Sequence, residues 1–245
     1  MTSRFIQKLQ IHWDRIGPDS YLRDIPAFNS LEQLEFSRNI TFFVGENGTG
    51  KSTLLEAAAV AYGFNPEGGT LNYRFSTFDD VSELGSALTL SRGFRRPASS
   101  YFFRAESFFN VASKAEDYRE FTPKEIFYAR YGGKSLHEQS HGESFLSYFL
   151  SFEGPGLYLM DEPEAALSPQ RQLTLLIQLV KMAEHGSQFL IASHSPILLG
   201  IPGAQILSFD GGQVHACAYE ETESYEITEM FINHREALLN RLLDE

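Results

Sequence analysis

Residues 45 to 53 read Gly-Glu-Asn-Gly-Thr-Gly-Lys-Ser-Thr and fit the spacing G-x-x-x-x-G-K-[ST]. These residue types at this spacing suit a polyphosphate. Glycines let backbone N–H groups curl inward around negative charge, and a helix starting just after them aims its positive dipole end at the same place. Lys51 would reach the β- and γ-phosphates, and the Ser52 hydroxyl would ligate Mg²⁺. The candidate nucleotide-binding set is therefore Gly45, Glu46, Asn47, Gly48, Thr49, Gly50, Lys51, Ser52 and Thr53.

A second group lies more than a hundred residues on. The apolar run 156–160 ends in Asp161-Glu162. Such a run reads as a fully buried parallel strand, and polar groups at the C-terminal end of such a strand open onto a ligand crevice. Asp161 is then placed to hold the Mg²⁺ shell, usually through water, and Glu162 to polarise an attacking water. The competing reading is an acidic turn at a strand end.

These groups need particular elements to position them. The run 40–44 reads as a short buried strand and 52–60 as a helix, so the glycine loop has a strand before it and a helix after it. Residues 4–13 read as a strand. From 63 to about 138 the pattern is irregular and punctuated by Gly and Pro, which suggests an insertion beside the nucleotide core. Within it, 86–91 and 100–104 look like paired strands joined by a turn that carries Arg92, Arg95 and Arg96, with Arg104 closing the second strand. This basic hairpin reads either as a solvated surface or as a contact for phosphate, nucleic acid or an acidic partner. Regular alternation returns near 140. A helix is expected over 169–185 with apolar Leu173, Leu176, Ile177 and Val180 on one face, then strands over 188–192 and 204–209, then a closing helix over 226–243 with Ile227, Met230, Phe231, Leu238, Leu239 and Leu242 apolar. The expected fold is a single α/β domain over 1–245, mostly parallel sheet flanked by helices, with an antiparallel portion and an insertion or lid with the signature-helix region over about 64–138.

The composition excludes several classes. The formal net charge is −12, which disfavours broad electrostatic binding to DNA or anionic lipid. Cys217 is the single cysteine, so no intramolecular disulfide or zinc spacing exists. No charged-then-apolar leader and no run of 18 apolar residues occurs, so the expectation is a cytoplasmic protein without membrane insertion.

Taken together, the chain resembles the ABC-type ATPases, in particular the small stand-alone, SMC/RecF-like kind often described as predicted AAA-family proteins. The likeness runs from about residue 38 to 210. Gln139-Ser140-His141-Gly142-Glu143 resembles the family signature Leu-Ser-Gly-Gly-Gln and precedes the helix-like run 145–152. Ala165-Ala166-Leu167-Ser168 resembles the D-loop, with Ser168 where Asp is usual, and His194 matches the switch histidine. The resemblance implies ATP and Mg²⁺ as ligands and ATP hydrolysis as the activity. Glu162 would be the base, His194 the γ-phosphate sensor, and Lys51 a charge stabiliser. It also implies a head-to-tail homodimer in which Ser140, Gly142 and Glu143 of one copy cap the nucleotide of the other. Glu143 departs from the pattern and is tolerable facing the ribose or a neighbouring cation. The family's glutamine loop has no obvious glutamine; Glu106 occupies a plausible place and reads as a metal-side acceptor or as plain polarity at a hairpin end. Three roles are open for such an ATPase: a nucleic-acid-linked or defence process, a nucleotide-gated regulatory role with an effector protein, or the energy subunit of a transporter.

Overall fold

The computed structural model describes residues 4–71, 83–104 and 141–243. Ser140 and Glu106 lie outside them, so the expectations on these two residues concern parts of the chain that are not described.

The central sheet contains β3 (Ile40–Val44), β5 (Ser99–Arg104), β6 (Gly156–Asp161), β7 (Gln188–Ala192), β8 (Gln205–Ser208) and β9 (His215–Ala216), in spatial order β5-β6-β7-β3-β8-β9. The first five are mutually parallel and β9 is antiparallel to β8. A smaller antiparallel sheet has the order β2-β1-β4, from β1 (Ile6–Ile11), β2 (Gln33–Glu35) and β4 (Leu88–Arg92). The buried amide of Gln188 joins the two sheets: its Oε1 accepts the Ile6 N–H at 2.8 Å and its Nε2 donates to the Ile6 carbonyl at 2.7 Å.

Alternation along the strands divides the core in two. Phe43, Leu157, Leu159, Leu190 and Ala192 face one side, where they meet Leu54, Leu55 and Ala57 to Ala59 of helix α1 (Lys51–Tyr62) and the antiparallel sheet. Phe42, Tyr158, Met160, Phe189 and Ile191 face the other, against helix α3 (His141–Leu150) and helix α4 (Pro169–Glu184). Because both faces are covered, β3 and β7 are buried at every position, which is why they read as unbroken apolar runs. Aromatic contacts fix α3: Phe145 lies 4.3 Å from Phe103, and Phe149 lies 5.6 Å from Tyr158, centroid to centroid.

One expectation is corrected. The strands expected to form a hairpin over 86–104 do not pair with each other. After the short helix α2 (Glu83–Ala87), β4 joins the antiparallel sheet beside β1, while β5 joins the parallel sheet beside β6. Tyr101, Phe102 and Phe103 are buried in succession, so β5 needed cover on both faces and could not sit in an edge hairpin. Two of the four arginines serve packing. Arg92 donates to the Ala61 carbonyl and lies over the Tyr62 ring, and Arg104 pairs with Glu56 at 2.7 Å; Arg95 and Arg96 are exposed, beside an exposed Phe94.

On α4 the buried stripe is Leu175, Leu179 and Met182, while Leu173 and Ile177 are exposed; both stripes have helical spacing, and only the sheet beneath chooses between them. The closing helix, α6 (Glu223–Leu243), buries none of its residues and bends at His234, where φ is −132° and ψ 30°. Its base packs on the short helix α5 (Pro196–Leu199), and its apolar residues face solvent rather than the core.

Candidate nucleotide-binding and hydrolysis site

Strand register brings the two sequence groups together. Phe43 pairs with Ala192, and Ala192 pairs with Asp161. The residues that follow these three positions, Val44-Gly45, Ser193-His194 and Glu162, therefore leave the sheet side by side at its C-terminal edge. There the Ser52 hydroxyl donates to Asp161 Oδ1 at 2.8 Å, across 109 residues of chain.

The glycine loop folds as its spacing suggests. Lys51 opens α1 and is buried, and its ammonium bends back to donate to the carbonyls of Gly45 at 2.6 Å and Glu46 at 2.7 Å. Thr49 Oγ1 donates to the Glu46 carbonyl at 2.8 Å and tightens the same turn. Burial pushes the Lys51 pKa down, opposed by the charges of Asp210, Glu162, Asp161 and Glu46.

Asp210 escaped the sequence reading. It follows β8, and its Oδ1 accepts the Glu46 N–H at 2.9 Å. A Cβ on Gly45, whose φ is +134°, would stand 2.9 Å from that oxygen. The carboxylate therefore props the first turn of the loop, and only glycine fits against it. No local pattern marks Asp210; its partner is 164 residues away.

The acid pair sits in a constrained turn. Glu162 has φ +49° and is the one non-glycine residue with positive φ among those described, while its N–H continues the β6–β7 ladder to the Ala192 carbonyl at 3.0 Å. Strain of this kind persists where surrounding structure holds it, often at a working site. Glu162 Oε1 lies 3.9 Å from His194 Nε2, both side chains being less than half exposed to solvent. Among the described residues His194 Nε2 has no hydrogen-bond partner, although it is buried.

Glu164, two residues on, also escaped the sequence reading. Its Oε1 accepts from Ser193 Oγ at 2.8 Å, the His194 N–H at 2.6 Å and the Ser195 N–H at 3.2 Å.

The signature-like segment starts α3. A Cβ on Gly142 would lie 2.6 Å from the Ala166 carbonyl oxygen, so this glycine permits close contact with the D-loop-like turn. Glu143 pairs with Arg171 of α4 at 2.7 Å, which supplies the neighbouring cation that the departure from the pattern called for. Ser168 is the N-cap of α4, its Oγ accepting the Arg171 N–H at 3.4 Å ahead of Pro169, a sufficient reason for a serine there.

The donor set suits Mg²⁺. A serine hydroxyl and one carboxylate are hard oxygen donors, and this ion keeps its remaining positions for phosphate and water. Among the described residues no group of three or more His, Cys, Asp or Glu is placed to hold a metal ion.

The sequence matches the family model of an AAA domain over residues 21–130. A second match, to the family described as "AAA domain, putative AbiEii toxin, Type IV TA system", covers residues 144–200. Both matched models are described as AAA domains, and each spans less than half of the chain. The chain is also similar to cbiO1 from Clostridium perfringens, part of the ABC transporter complex cbiONQ, with 15% identity over 99% of this chain and 100% of that one and a TM-score of 0.49. A further similar structure is the SMC head domain from Thermotoga maritima, with 15% identity over 87% of this chain and 98% of that one and a TM-score of 0.42. No curated protein matches in sequence. Among the described residues no helix of this domain is long and apolar enough to cross a membrane.

Proposed function

We propose that the domain binds Mg·ATP above the C-terminal ends of β3, β6 and β7 and hydrolyses it to ADP and phosphate. The observation that carries this reading is the convergence of Lys51, Ser52, Asp161, Glu162 and His194 at one sheet edge, from three separate stretches of sequence. Lys51 would exchange the carbonyls of Gly45 and Glu46 for phosphate oxygens. The charges of Asp210, Glu162, Asp161 and Glu46 oppose the lowering of its pKa by burial. Ser52 and Asp161 would hold Mg²⁺, which when bound offsets phosphate charge. Glu162 would orient and deprotonate the attacking water, and His194, on the next strand, would donate to the γ-phosphate. Glu106 remains a proposed metal-side acceptor.

The proposed working unit is a head-to-tail homodimer. The first turn of a helix has N–H groups without intrahelical partners, so the start of α3, with Ser140 and Gly142, would complete the phosphate cage of a second copy. Glu143 is held by Arg171 and would sit beside that cage as a neutralised pair. Loss of the γ-phosphate removes those contacts and releases the dimer. The Glu162→Gln form should accumulate as a dimer in Mg·ATP by light scattering while wild type stays mostly monomeric. A monomer in both would refute the sandwich.

The process served is proposed to be nucleic-acid-linked or defensive. The type IV toxin–antitoxin wording of the family matched over 144–200 supports it, as do Arg95 and Arg96 exposed beside Phe94. Hydrolysis stimulated by DNA and weakened steeply by salt would test it. A second reading, a nucleotide-gated regulator acting through an effector protein, is supported by Ile227, Phe231 and Leu242 exposed on α6.

A further inference from the structure

Glu164 takes no part in the chemistry proposed above, yet its carboxylate is firmly engaged beneath the crevice. One oxygen gathers three donors from the consecutive residues Ser193, His194 and Ser195, at 2.8, 2.6 and 3.2 Å. The other oxygen is buried and, among the described residues, has no partner. A second link holds the same loop from the other side. Ser195 Oγ donates to Gln172 Oε1 at 2.6 Å, and Gln172 Nε2 donates to the Leu167 carbonyl at 3.1 Å. The loop that carries His194 is thus tied at consecutive residues to the segment that carries Glu162 and then leads into α4.

We infer that Glu164 is a positioning residue: by pinning the backbone of Ser193 to Ser195 to the turn after β6, it sets where the His194 imidazole stands relative to Glu162 and the γ-phosphate. The inference deepens, and rests on, the reading of Glu162 and His194 as the hydrolytic pair. The physical case has three parts. The link is short, because only Pro163 separates Glu162 from Glu164. Bonds to an ionised acceptor are stronger than neutral ones, and more so away from water. Among the described residues the buried Nε2 of the imidazole has no hydrogen-bond partner, and it stands 3.9 Å from Glu162 Oε1. Burial raises the Glu164 pKa, and the bonds from His194 and Ser193 oppose that rise, as expected of a carboxylate kept in place for its acceptor oxygen.

A purely structural Glu164 would alter folding stability without touching turnover by the folded protein. A double-mutant cycle separates the roles. Glu164→Ala, assayed well below its melting temperature, should lower kcat by about ten- to a hundredfold, the scale for a displaced catalytic group, with ATP affinity within about twofold of wild type. Glu164→Gln keeps one acceptor oxygen and should recover most of that loss. In a His194→Ala background, Glu164→Ala should slow turnover no further. Full kcat in folded Glu164→Ala, or multiplicative losses in the double variant, would overturn the inference while leaving the hydrolysis reading intact. Absence of turnover by wild type would overturn both.

Discussion

Adding one methyl group at Gly142 sets local preference against tertiary contact, with opposite signs. Gly142 lies in the first turn of α3, where Ala is favoured over Gly by roughly 0.5–1 kcal/mol on helix propensity. The added Cβ would, however, stand 2.6 Å from the Ala166 carbonyl oxygen, 3.2 Å from Leu167 Cδ2 and 3.3 Å from Arg171 Nη1. The nearest of these is backbone, so relief requires α3 to move away from the turn. Overpacking of that kind costs about 1–3 kcal/mol. The net expectation for Gly142→Ala is a loss of about 1 kcal/mol and at most about 2.5 kcal/mol, with about 2–4 °C of Tm per kcal/mol in a chain of this size. Thermal and urea unfolding followed together would read it. A Tm equal to or above wild type would show that α3 does not press on the Ala166 turn, and the close approach proposed to align the start of α3 would fail.

Other outcomes follow from the same geometry. Lys51→Ala should abolish the Tm rise that Mg·ATP gives wild type, a rise worth about 3 kcal/mol at a hundred times the Kd; a preserved shift in a thermal-shift titration would show that Lys51 does not hold phosphate. Arg104→Ala removes the cation from a pair that is about a quarter exposed and leaves Glu56 near Asp161. It should cost about 1–3 kcal/mol in urea unfolding, and adding Glu56→Gln should return part of that; no recovery would mean that the two side chains act separately. Burial raises the Glu164 pKa, so the folded chain keeps this proton after the unfolded chain has released it near pH 4.3. Stability from this group is therefore full below that pH and is lost as pH rises through the folded value. Wild type should lose stability relative to Glu164→Gln as pH rises above the ordinary carboxylate range, and a pH-independent difference in Tm would contradict the burial of this carboxylate.

How much of this was legible in sequence depended on whether the cause was local. The glycine loop announces itself because its spacing, its lysine and its flanking strand and helix are all local requirements. Asp161 and Glu162 were legible because a strand buried on both faces reads as an unbroken apolar run, and its polar end must open somewhere. The likeness of α3 to a signature helix was legible in its position and in Gly142. Asp210 and Glu164 were not legible. Each is an ordinary acid in its own neighbourhood and acquires its work only from strand register, which sets Asp210 against Glu46 and Glu164 against the Ser193 loop. The pairing of β4 and β5 was misread for a related reason: a turn between two short apolar runs suggests a hairpin, while the choice of partner strand is made by distant residues. On α4 the two helical stripes were equivalent in sequence, and the packing of Leu175, Leu179 and Met182 decided between them. The apolar residues of α6 were legible as a helix, but not their exposure, which only the packing around the helix decides.

The central claim is that one crevice both holds and cleaves the triphosphate. The most direct measurement pairs calorimetric binding of Mg·ATP with phosphate release, on wild type and on Glu162→Gln. The account predicts one nucleotide bound per chain in both, steady phosphate release by wild type, and release reduced by about 10²–10⁴-fold in the variant. Equal turnover by the two proteins, or no binding by either at millimolar Mg·ATP, would contradict it.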